Sequence, residues 1–246
     1  MLILHSTSNK PDFNLAAEKY LFSRRQDEIL FIYVNDPCVV IGCNQAILSE
    51  VNLDFCHENG IEVMRRMSGG GAVYHDNDNL NYCFIKNKIE GKYPISSDFL
   101  LPVITILGQM GIPVSLGKRK DLWLPDGYKI SGTASHIGKD RALYHGTLLY
   151  NTNLENLQIA LSSKSDVSNS VRATASVRSM VKNIRAFLEE SGSMAPSTID
   201  FTEIFLQEIC TFYNLEKPVL FSPETSPEIE MIRQNDIQNP DWIYKK

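Results

Sequence analysis

Apolar residues recur along this chain at two spacings, one typical of helices and one typical of strands. Residues 13–25 mix apolar and charged side chains at helical spacing, with Asp12 or Asn14 available as the N-cap. Short β-branched and aromatic runs at residues 29–34 and 38–41 predict two strands. The Asn-Asp-Pro turn signal between the runs predicts that these strands form a hairpin.

The remainder of the chain repeats both patterns. Residues 99–110 predict a helix that ends at Gly111, residues 202–213 predict another, and Ser-Pro-Glu at 226–228 has the order expected at a helix start. Further strands are predicted at residues 61–64, 72–75, 82–85, 112–115 and 142–150. Several strands follow one another without a helix between them, and the C-terminal third is mainly helical. The pattern therefore predicts an α+β fold, in which a mixed β-sheet is packed by helices, rather than strict strand–helix alternation.

One segment, residues 162–179, fits neither pattern, because it is polar, rich in serine and poor in apolar residues. A long polar segment of this kind is either a plain surface loop or a lid over a site. From the residues alone, the plain loop is the simpler interpretation.

Composition and charge restrict the class of protein. The chain has 246 residues, 43% hydrophobic and 22% charged, as expected for a globular protein, and we predict one compact domain over residues 1–246. No apolar run approaches the ~20 residues of a membrane-spanning helix, and the first residues lack the basic-then-apolar order of a targeting segment. The net charge of −5 argues against nucleic acid as a partner. We therefore expect a cytoplasmic protein with neither a membrane nor a nucleic-acid partner.

The most informative stretch is residues 65–76, Arg-Arg-Met-Ser-Gly-Gly-Gly-Ala-Val-Tyr-His-Asp. Three glycines let the backbone approach a ligand closely, with amide N–H groups that can meet an anion, and the arginines add permanent positive charge. Two common nucleotide-binding motifs do not fit this stretch. The phosphate-binding motif Gly-x-x-x-x-Gly-Lys-Ser/Thr is absent, and the dinucleotide-binding motif Gly-x-Gly-x-x-Gly would need glycine in place of Tyr74. Taken alone, the glycines are equally well explained as a turn between strands.

A second stretch, residues 129–134, reads Lys-Ile-Ser-Gly-Thr-Ala and is followed by His-Gly-Thr-Leu-Leu at 145–149. A lysine among small residues in a strand can reach an anion while the backbone approaches closely, which suits recognition of a phosphate or carboxylate. On its own, Lys129 is more often an exposed strand lysine. The basic run at residues 118–120 is likewise more often a solvated loop than a binding site.

Together these stretches resemble the signatures of the lipoate–protein ligase family. The resemblance extends in the same order to residues 14–16, 39–42 and 176–179 and to Gln45, and it covers nearly the whole chain. It implies the fold shared with biotin ligases, in which a mixed sheet packed by helices holds an acyl-adenylate. It also implies an enzyme that activates lipoate with ATP as lipoyl-adenylate and transfers the lipoyl group to a lysine of an acceptor protein.

The resemblance assigns roles to the residues at matching positions. For ATP and the adenylate these are Arg66, Gly71, Ala72, Val73, Tyr74, Lys129 and Arg178. For lipoate they are Arg66, Ser68, Gly69, Gly70, His75, Lys129 and Ala134. Lys129 matches the lysine that contacts both the lipoyl carboxyl oxygen and the α-phosphate, which makes it the predicted catalytic group. Its fixed charge would offset the charge that develops when two anions meet.

Cofactors and partners follow from the same resemblance. ATP and Mg²⁺ are expected, with Asp121 as the metal ligand, and the segment 162–179 becomes an expected lid over the adenylate. The expected acceptors are the lipoyl domains of 2-oxoacid dehydrogenase complexes and the carrier protein of glycine cleavage. Lys120 stands where the family has asparagine and Lys118 where it has a small residue, so an added cation could repel or replace magnesium.

A further departure concerns the C-terminal end. Trp242 lies where the catalytic domain of longer relatives finishes, so the resemblance predicts a single catalytic domain without their small accessory domain. Short members of this kind are expected to work with a separately encoded accessory protein or to perform only part of the reaction.

Three other functions stay open. An ATP-independent octanoyl or lipoyl transferase would need an activated cysteine near the lysine, and residues 118–145 contain none. The five cysteines are scattered and form no Cys-x-x-Cys pair, which gives no sign of a zinc site or a disulfide framework. A biotin ligase would share the fold, but the form of residues 65–76 is closer to the lipoate branch. A non-catalytic partner subunit would keep the lipoate cleft, but the retained Lys129 argues against it.

Overall fold

The computed structural model describes residues 1–91, 97–162, 174–223 and 226–245 of the chain. The strands are, in chain order, β1 (Leu2–Ser6), β2 (Ile29–Val34), β3 (Cys38–Ile41), β4 (Glu62–Arg65), β5 (Val73–His75), β6 (Asn79–Asn87), β7 (Ser115–Leu116), β8 (Leu122–Trp123), β9 (Lys129–Ser131), β10 (Thr133–Ile137), β11 (Arg141–Leu149) and β12 (Val219–Phe221). The helices are α1 (Pro11–Arg24), α2 (Ile47–Glu50), α3 (Leu53–Glu58), α4 (Leu101–Gln109), α5 (Leu154–Ala160), α6 (Ile184–Glu190), α7 (Thr198–Phe212), α8 (Pro227–Ile232) and α9 (Pro240–Ile243). A π-helical turn, Arg233–Ile237, follows α8.

The largest sheet has six strands in the order β10-β11-β6-β2-β1-β12. β1 runs parallel to both of its neighbours, whereas the pairs from β10 to β2 are antiparallel, so the sheet is mixed, as predicted. Directly paired residues project from the same face of a sheet. On one face of the six-stranded sheet, a row of paired residues consists of Tyr33, Asn81 and Thr147. The next row on the same face consists of Phe31, Cys83 and His145.

The predicted hairpin between β2 and β3 is wrong. β2 pairs with β1 and β6 in the six-stranded sheet, whereas β3 pairs with β4 and β5 in a separate sheet of order β4-β3-β5. The Asn-Asp-Pro turn therefore carries the chain from one sheet to the other. A turn signal indicates only that the chain changes direction, not which strands pair. Here both edges of β2 and both edges of β3 are occupied by other strands.

Helix α1 packs against the face of the six-stranded sheet that carries these two rows. Its buried apolar residues include Leu15, Ala16, Ala17 and Leu21. The helix begins at Pro11 with Lys10 as its N-cap and with no side-chain cap, so the predicted capping by Asp12 or Asn14 is wrong. Both of these residues lie inside the first turn, where their side chains are buried and bond elsewhere.

Most of the other predicted elements are confirmed. The two predicted helices correspond to α4 and to the C-terminal part of α7, and the Ser226 side chain caps α8. The strands predicted at residues 61–64, 72–75, 82–85 and 142–150 overlap β4, β5, β6 and β11. The strand predicted at residues 112–115 is wrong except for its last residue. Pro113 has no N–H for a strand ladder, and Ile112 is buried in the helix-covered core.

Apolar cores lie on both faces of the six-stranded sheet. On one face the sheet packs against α4, α6 and α7, and on the other it packs against α1 and the sheet β4-β3-β5. A third apolar cluster lies between the far side of that smaller sheet and the helices α2, α3 and α5. Among the described helices, none is both long and apolar enough to cross a membrane. Of the expected lid, residues 163–173 lie outside the described residues, whereas 174–179 are described.

Candidate active site

A cavity of about 350 Å³ lies between the six-stranded sheet and the sheet β4-β3-β5. The six-stranded sheet contributes Tyr33, Asn81, His145 and Thr147 to its lining. The smaller sheet contributes Val40, Val73 and His75. The rest of the lining comes mainly from the loop between β4 and β5, the loop before β8, the start of β9, and residues 174–177.

The loop between β4 and β5 contains the three consecutive glycines, and we call residues 68–72 the glycine loop. Gly70 has a φ of +84°, a left-handed conformation that glycine adopts without strain. Its carbonyl oxygen lies so close to Gly42 that any side chain at position 42 would collide with it. These two glycines therefore allow the loop to fold back onto the end of β3.

Arg66 holds the glycine loop in place. Its Nε donates to Ser68 Oγ (2.9 Å), and its Nη2 donates to the carbonyl oxygens of Gly69 (2.6 Å) and Gly71 (2.7 Å). Its Nη1 donates to the carbonyl oxygen of Val40 (2.9 Å). Burial lowers the pKa of Arg66 to about 10, which leaves the side chain charged at neutral pH. Most of its N–H groups are therefore engaged within the protein.

Ser176 connects the described end of the expected lid to the glycine loop. Its Oγ accepts hydrogen bonds from the N–H of Ala72 (2.9 Å) and from the side-chain amide of Gln45 (3.1 Å). Its own N–H donates to the carboxylate of Glu50 (3.1 Å). The hydroxyl oxygen would also lie 2.8 Å from a Cβ atom at position 71, so a residue other than glycine would require Ser176 to move.

Lys129 begins β9, and 19% of its side chain is exposed. Its Nζ lies 3.7 Å from Asp121 Oδ2, and Arg119 Nη2 approaches the same oxygen at 3.7 Å. Burial lowers the pKa of Lys129, while the charge of Asp121 opposes this shift and that of Arg119 adds to it. Gly132 has no side chain to fill the space beside the end of the lysine. Two cations and one carboxylate thus converge on the cavity lining.

A second cavity, of about 800 Å³, adjoins the first. The residues that line both are Ala72, Val73, Lys129, Gly132, Thr147, Ala175, Ser176 and Val177. Those that line the second but not the first include Tyr74, Tyr128, Leu149, Leu157 and Arg178. Successive strand residues face opposite sides, so His75 lines the first cavity and Tyr74 the second. Lys129 therefore lies where the two spaces meet.

A buried polar network joins α1, β11 and the glycine loop. Glu18 accepts hydrogen bonds from His145 Nδ1 (2.9 Å) and from the hydroxyl of Tyr33 (2.9 Å), and His145 Nε2 lies 2.7 Å from Ser68 Oγ. Burial acts to raise the pKa of Glu18, but the His145 contact and the hydrogen bonds from Tyr33 and Cys83 outweigh it and hold that pKa below its ordinary value. Glu18 therefore fixes the orientation of His145, which lines the first cavity.

A chain of side-chain hydrogen bonds fixes His75. The Ser6 hydroxyl donates to Asn14 Oδ1 (2.7 Å), the Asn14 amide donates to Asn35 Oδ1 (2.8 Å), and the Asn35 amide nitrogen lies 3.0 Å from His75 Nδ1. Because an amide NH₂ group can only donate, Nδ1 accepts and the proton of the neutral ring is on Nε2. Burial, helped by the nearby charge of Arg66, lowers the pKa of His75 to about 3 and keeps the ring neutral.

Most of the predicted site residues meet at these two cavities. The first is lined by Arg66, Gly70, Gly71, Ala72, Val73, His75, Asp121, Lys129 and Ala134. The second is lined by Tyr74 and Arg178. Ser68 and Gly69 belong to the glycine loop but are not among the described residues that line either cavity, and Ser68 is fully buried in the polar network.

Several residues of the site were not predicted. Arg119 belongs to the basic run that the sequence alone assigns to a solvated loop. It is exposed in a turn, and it also lines the first cavity. Glu18 follows Leu15 at helical spacing, so the period of α1 could have placed it on the buried face. Asn81 and Thr147 come together through strand register, for which the sequence carries no local signal.

Comparison with known proteins identifies relatives along the whole chain. Residues 10–210 match the family described as the lipoyl protein ligase A/B catalytic domain. The chain is 37% identical to the lipoate-protein ligase LplJ of Bacillus subtilis over 248 residues, which cover 99% of this chain and 73% of LplJ. It is 36% identical to the human mitochondrial protein named lipoyl amidotransferase LIPT1, over 100% of this chain and 65% of that protein.

Solved structures share the fold. LipL1 of P. falciparum, solved in complex with lipoate, superposes with a TM-score of 0.76 at 26% identity, and the match covers 100% of this chain and 74% of that one. The bi-partite lipoate protein ligase of Thermoplasma acidophilum gives a TM-score of 0.80 at 23% identity, with 99% of this chain and 95% of that one covered. The predicted α+β fold, a mixed sheet packed by helices, is confirmed.

Proposed function

The chain belongs to the lipoyl protein ligase A/B catalytic-domain family, and we propose that it is an ATP-dependent lipoate–protein ligase that acts on lipoyl domains. The observation that carries the proposal is the position of Lys129, which lines both cavities. We assign lipoate to the first cavity, between the two sheets, and the nucleotide to the second, which includes Arg178. A lysine at the junction can contact a carboxylate on one side and a phosphate on the other.

The dimensions of the first cavity support this assignment of lipoate. Its lining extends from Thr133 on β10 to Tyr33 on β2, which are separated by three strand spacings in the six-stranded sheet. Neighbouring strands lie about 4.8 Å apart, so the cavity crosses about 14 Å of the sheet. Leu15, Val40 and Val73 contribute apolar surface along this path. The space suits an extended medium-chain acyl group.

In the first step, an oxygen of the lipoate carboxylate attacks the α-phosphorus of ATP, a new oxygen–phosphorus bond forms, and pyrophosphate leaves. Two anions meet in this step, so the site must supply fixed positive charge. Lys129 and Arg119 provide it, since both line the first cavity and flank Asp121. Arg66 contributes indirectly, by holding the glycine loop against the same space.

In the second step, the neutral amine of the acceptor lysine attacks the carbonyl carbon of the mixed anhydride. The bond between the carbonyl carbon and the phosphate oxygen breaks, AMP leaves with the electron pair of that bond, and the new amide nitrogen loses a proton. Lys129 stabilises the oxyanion of the tetrahedral intermediate in this step. The negative charge of Asp121 opposes the effect of burial on the lysine pKa and so favours the ammonium form that this role needs.

Magnesium accompanies ATP in this proposal, and Asp121 fits such an ion. Its carboxylate is buried and lines the first cavity. Its ion-pair contacts with Lys129 and Arg119 are 3.7 Å long, beyond hydrogen-bond distance, so oxygen lone pairs stay available for a metal. Magnesium in phosphoryl-transfer sites is typically bound through one or two carboxylates together with substrate phosphates. When bound, the ion would neutralise phosphate charge.

A lipoyl amidotransferase is the second candidate, because the identity to LIPT1 nearly equals the identity to LplJ. Such an enzyme would take the lipoyl group from an existing amide and would need no ATP. A cysteine-based transferase has less support. Burial raises the pKa of the thiols of Cys38, Cys56, Cys83 and Cys210, and no cysteine is among the described residues that line either cavity.

Exchange of labelled pyrophosphate into ATP tests the activation step, because exchange requires reversible formation of an adenylate. We expect exchange that depends on lipoate and on Mg²⁺. Exchange that is absent although the protein is folded and binds lipoate would contradict the ligase assignment. Exchange without lipoate would point to a different acid as the substrate.

A further inference from the structure

One buried polar group of the first cavity is used by neither of the two steps. His75 lies at the end of β5, is 4% exposed and lines the cavity. Its Nδ1 accepts from the amide of Asn35, so Nε2 carries the proton, and within the described part of the chain Nε2 has no hydrogen-bond partner. Buried donors are nearly always paired in folded proteins. A group of a bound ligand is therefore the natural acceptor.

The location of His75 shows which part of a ligand would reach it. Asn35, which holds the ring, directly follows β2, and β2 is the cavity-lining strand of the six-stranded sheet that lies furthest from β10. Lys129 and Thr133 lie at the opposite side, at β9 and β10. With the carboxyl group of an acyl chain at Lys129, the distal end of that chain lies near His75.

We propose that His75 Nε2–H donates a hydrogen bond to a ring sulfur of the lipoyl group and makes the cavity selective for lipoate over octanoate. This inference rests on the proposed function. Sulfur is a weak acceptor, whereas the terminal methyl group of octanoate accepts no hydrogen bond. Octanoate therefore leaves the donor buried and unpaired, which corresponds to a loss of affinity of about tenfold.

The hydrogen-bond chain explains why the donor is fixed. A second proton on His75 would place an N–H group against the NH₂ group of Asn35, and the orientation of that amide is set by Asn14, which donates to Asn35 Oδ1. The Asn14 side chain is oriented in turn by Ser6. His75 is thus held as a neutral donor, which suits an uncharged dithiolane ring.

Calorimetric titration with three ligands tests the proposal. The ligands are lipoate, octanoate and an analogue of lipoate in which a cyclopentane ring replaces the dithiolane ring. The cyclopentyl analogue keeps the ring shape but offers no sulfur acceptor, so it separates hydrogen bonding from fit. We expect the unmodified protein to bind lipoate about tenfold more tightly than the cyclopentyl analogue.

Two variants with the same substitution complete the experiment. His75→Phe keeps a planar ring but has no hydrogen-bond donor, so lipoate and the cyclopentyl analogue should bind to this variant with equal affinity. In His57→Phe, which changes an exposed histidine on α3, the tenfold ratio should persist.

Equal affinities of the unmodified protein for lipoate and the cyclopentyl analogue would overturn the inference, and this comparison needs no variant. A folded His75→Phe protein that keeps the tenfold ratio would overturn it as well. Failure of the proposed function would look different, because lipoate-dependent exchange of pyrophosphate into ATP would then be absent, whatever the ratio of the ligand affinities.

Discussion

Lys129 is the side chain on which the proposed chemistry depends most directly. Replacing it with alanine removes a preorganised charge from the junction of the two cavities, so Lys129→Ala should lower the rate of adenylate formation by about 10²-fold or more. The fold should persist, because the ion pair with Asp121 is a loose one of 3.7 Å. The rate at which lipoyl-adenylate forms in a single turnover measures the effect, and Lys139→Ala, at an exposed lysine, serves as the control. A Lys129→Ala protein with near-normal turnover would remove the lysine from the mechanism.

Two buried titratable groups should make stability depend on pH. Burial lowers the pKa of His75 to about 3, whereas a histidine in the unfolded chain titrates near 6.5. Between these values the unfolded chain binds a proton that the folded chain does not. The stabilisation is therefore fully present above pH ~6.5 and is lost as pH falls, by up to about 1.4 kcal/mol per pH unit. Glu18, with its pKa held below the ordinary value of 4.5, adds a further loss in more acidic solution.

Urea unfolding between pH ~7 and pH ~5 measures the histidine contribution separately from that of Glu18. The free energy of unfolding should fall over this range in the unmodified protein and in His57→Phe, and it should fall less steeply in His75→Phe. A stability that does not change with pH in the unmodified protein would show that His75 is not held neutral.

At the scale of elements, Arg65 connects the end of β4 to the C-terminal helix α9. It is fully buried and donates to the carbonyl oxygens of Gly42 (3.0 Å), Gln45 (2.8 Å) and Ile243 (2.8 Å). Arg65→Ala would remove these three hydrogen bonds and open a cavity, and it should lower the free energy of unfolding by about 3 kcal/mol. Urea unfolding checks this value, with the exposed Arg185→Ala as a control that should change stability little. Unchanged stability of Arg65→Ala would mean that α9 is not anchored through this residue.

Ser176 connects a second pair of elements, the end of the expected lid and the glycine loop. Its hydroxyl accepts from Ala72 and Gln45, so Ser176→Ala removes two hydrogen bonds between these segments. We expect the KM for ATP to rise about threefold to tenfold, because the segment that lines the proposed nucleotide cavity is held less firmly. Steady-state kinetics measure the change, and the exposed Ser191→Ala serves as control. An unaltered KM for ATP in Ser176→Ala would argue that these two hydrogen bonds have no part in nucleotide binding.

Local patterns predicted the elements better than their pairing. Helix α4 and strand β2 were predicted because their signals, helical spacing and a run of β-branched and aromatic residues, each lie within one stretch of sequence. The pairing of β3 with β2 was predicted wrongly, since the partners of β3 are decided by which other strands fill its edges. The same distinction holds at the site. The motif residues around Lys129 and the glycine loop were predicted, whereas Glu18 and Asn81 reach the site through helix packing and strand register.

At the scale of the whole molecule, the site is formed where two sheets meet. The six-stranded sheet forms one wall, the sheet β4-β3-β5 forms the other, and α1 adds Leu15 to the lining. In the proposed reaction, these walls would limit the access of water to the bound acyl chain. In the proposed arrangement, the reacting end of the acyl chain lies at Lys129, where the larger cavity begins.

The most direct test of the central proposal is the mass of an isolated lipoyl domain after incubation with this protein. We predict that the domain gains one lipoyl group when free lipoate, ATP and Mg²⁺ are all present, and that it gains none when ATP is omitted or when its acceptor lysine is replaced by arginine. An unmodified domain under these conditions, together with transfer from a lipoylated donor protein in the absence of ATP, would contradict the ligase assignment and identify an amidotransferase instead.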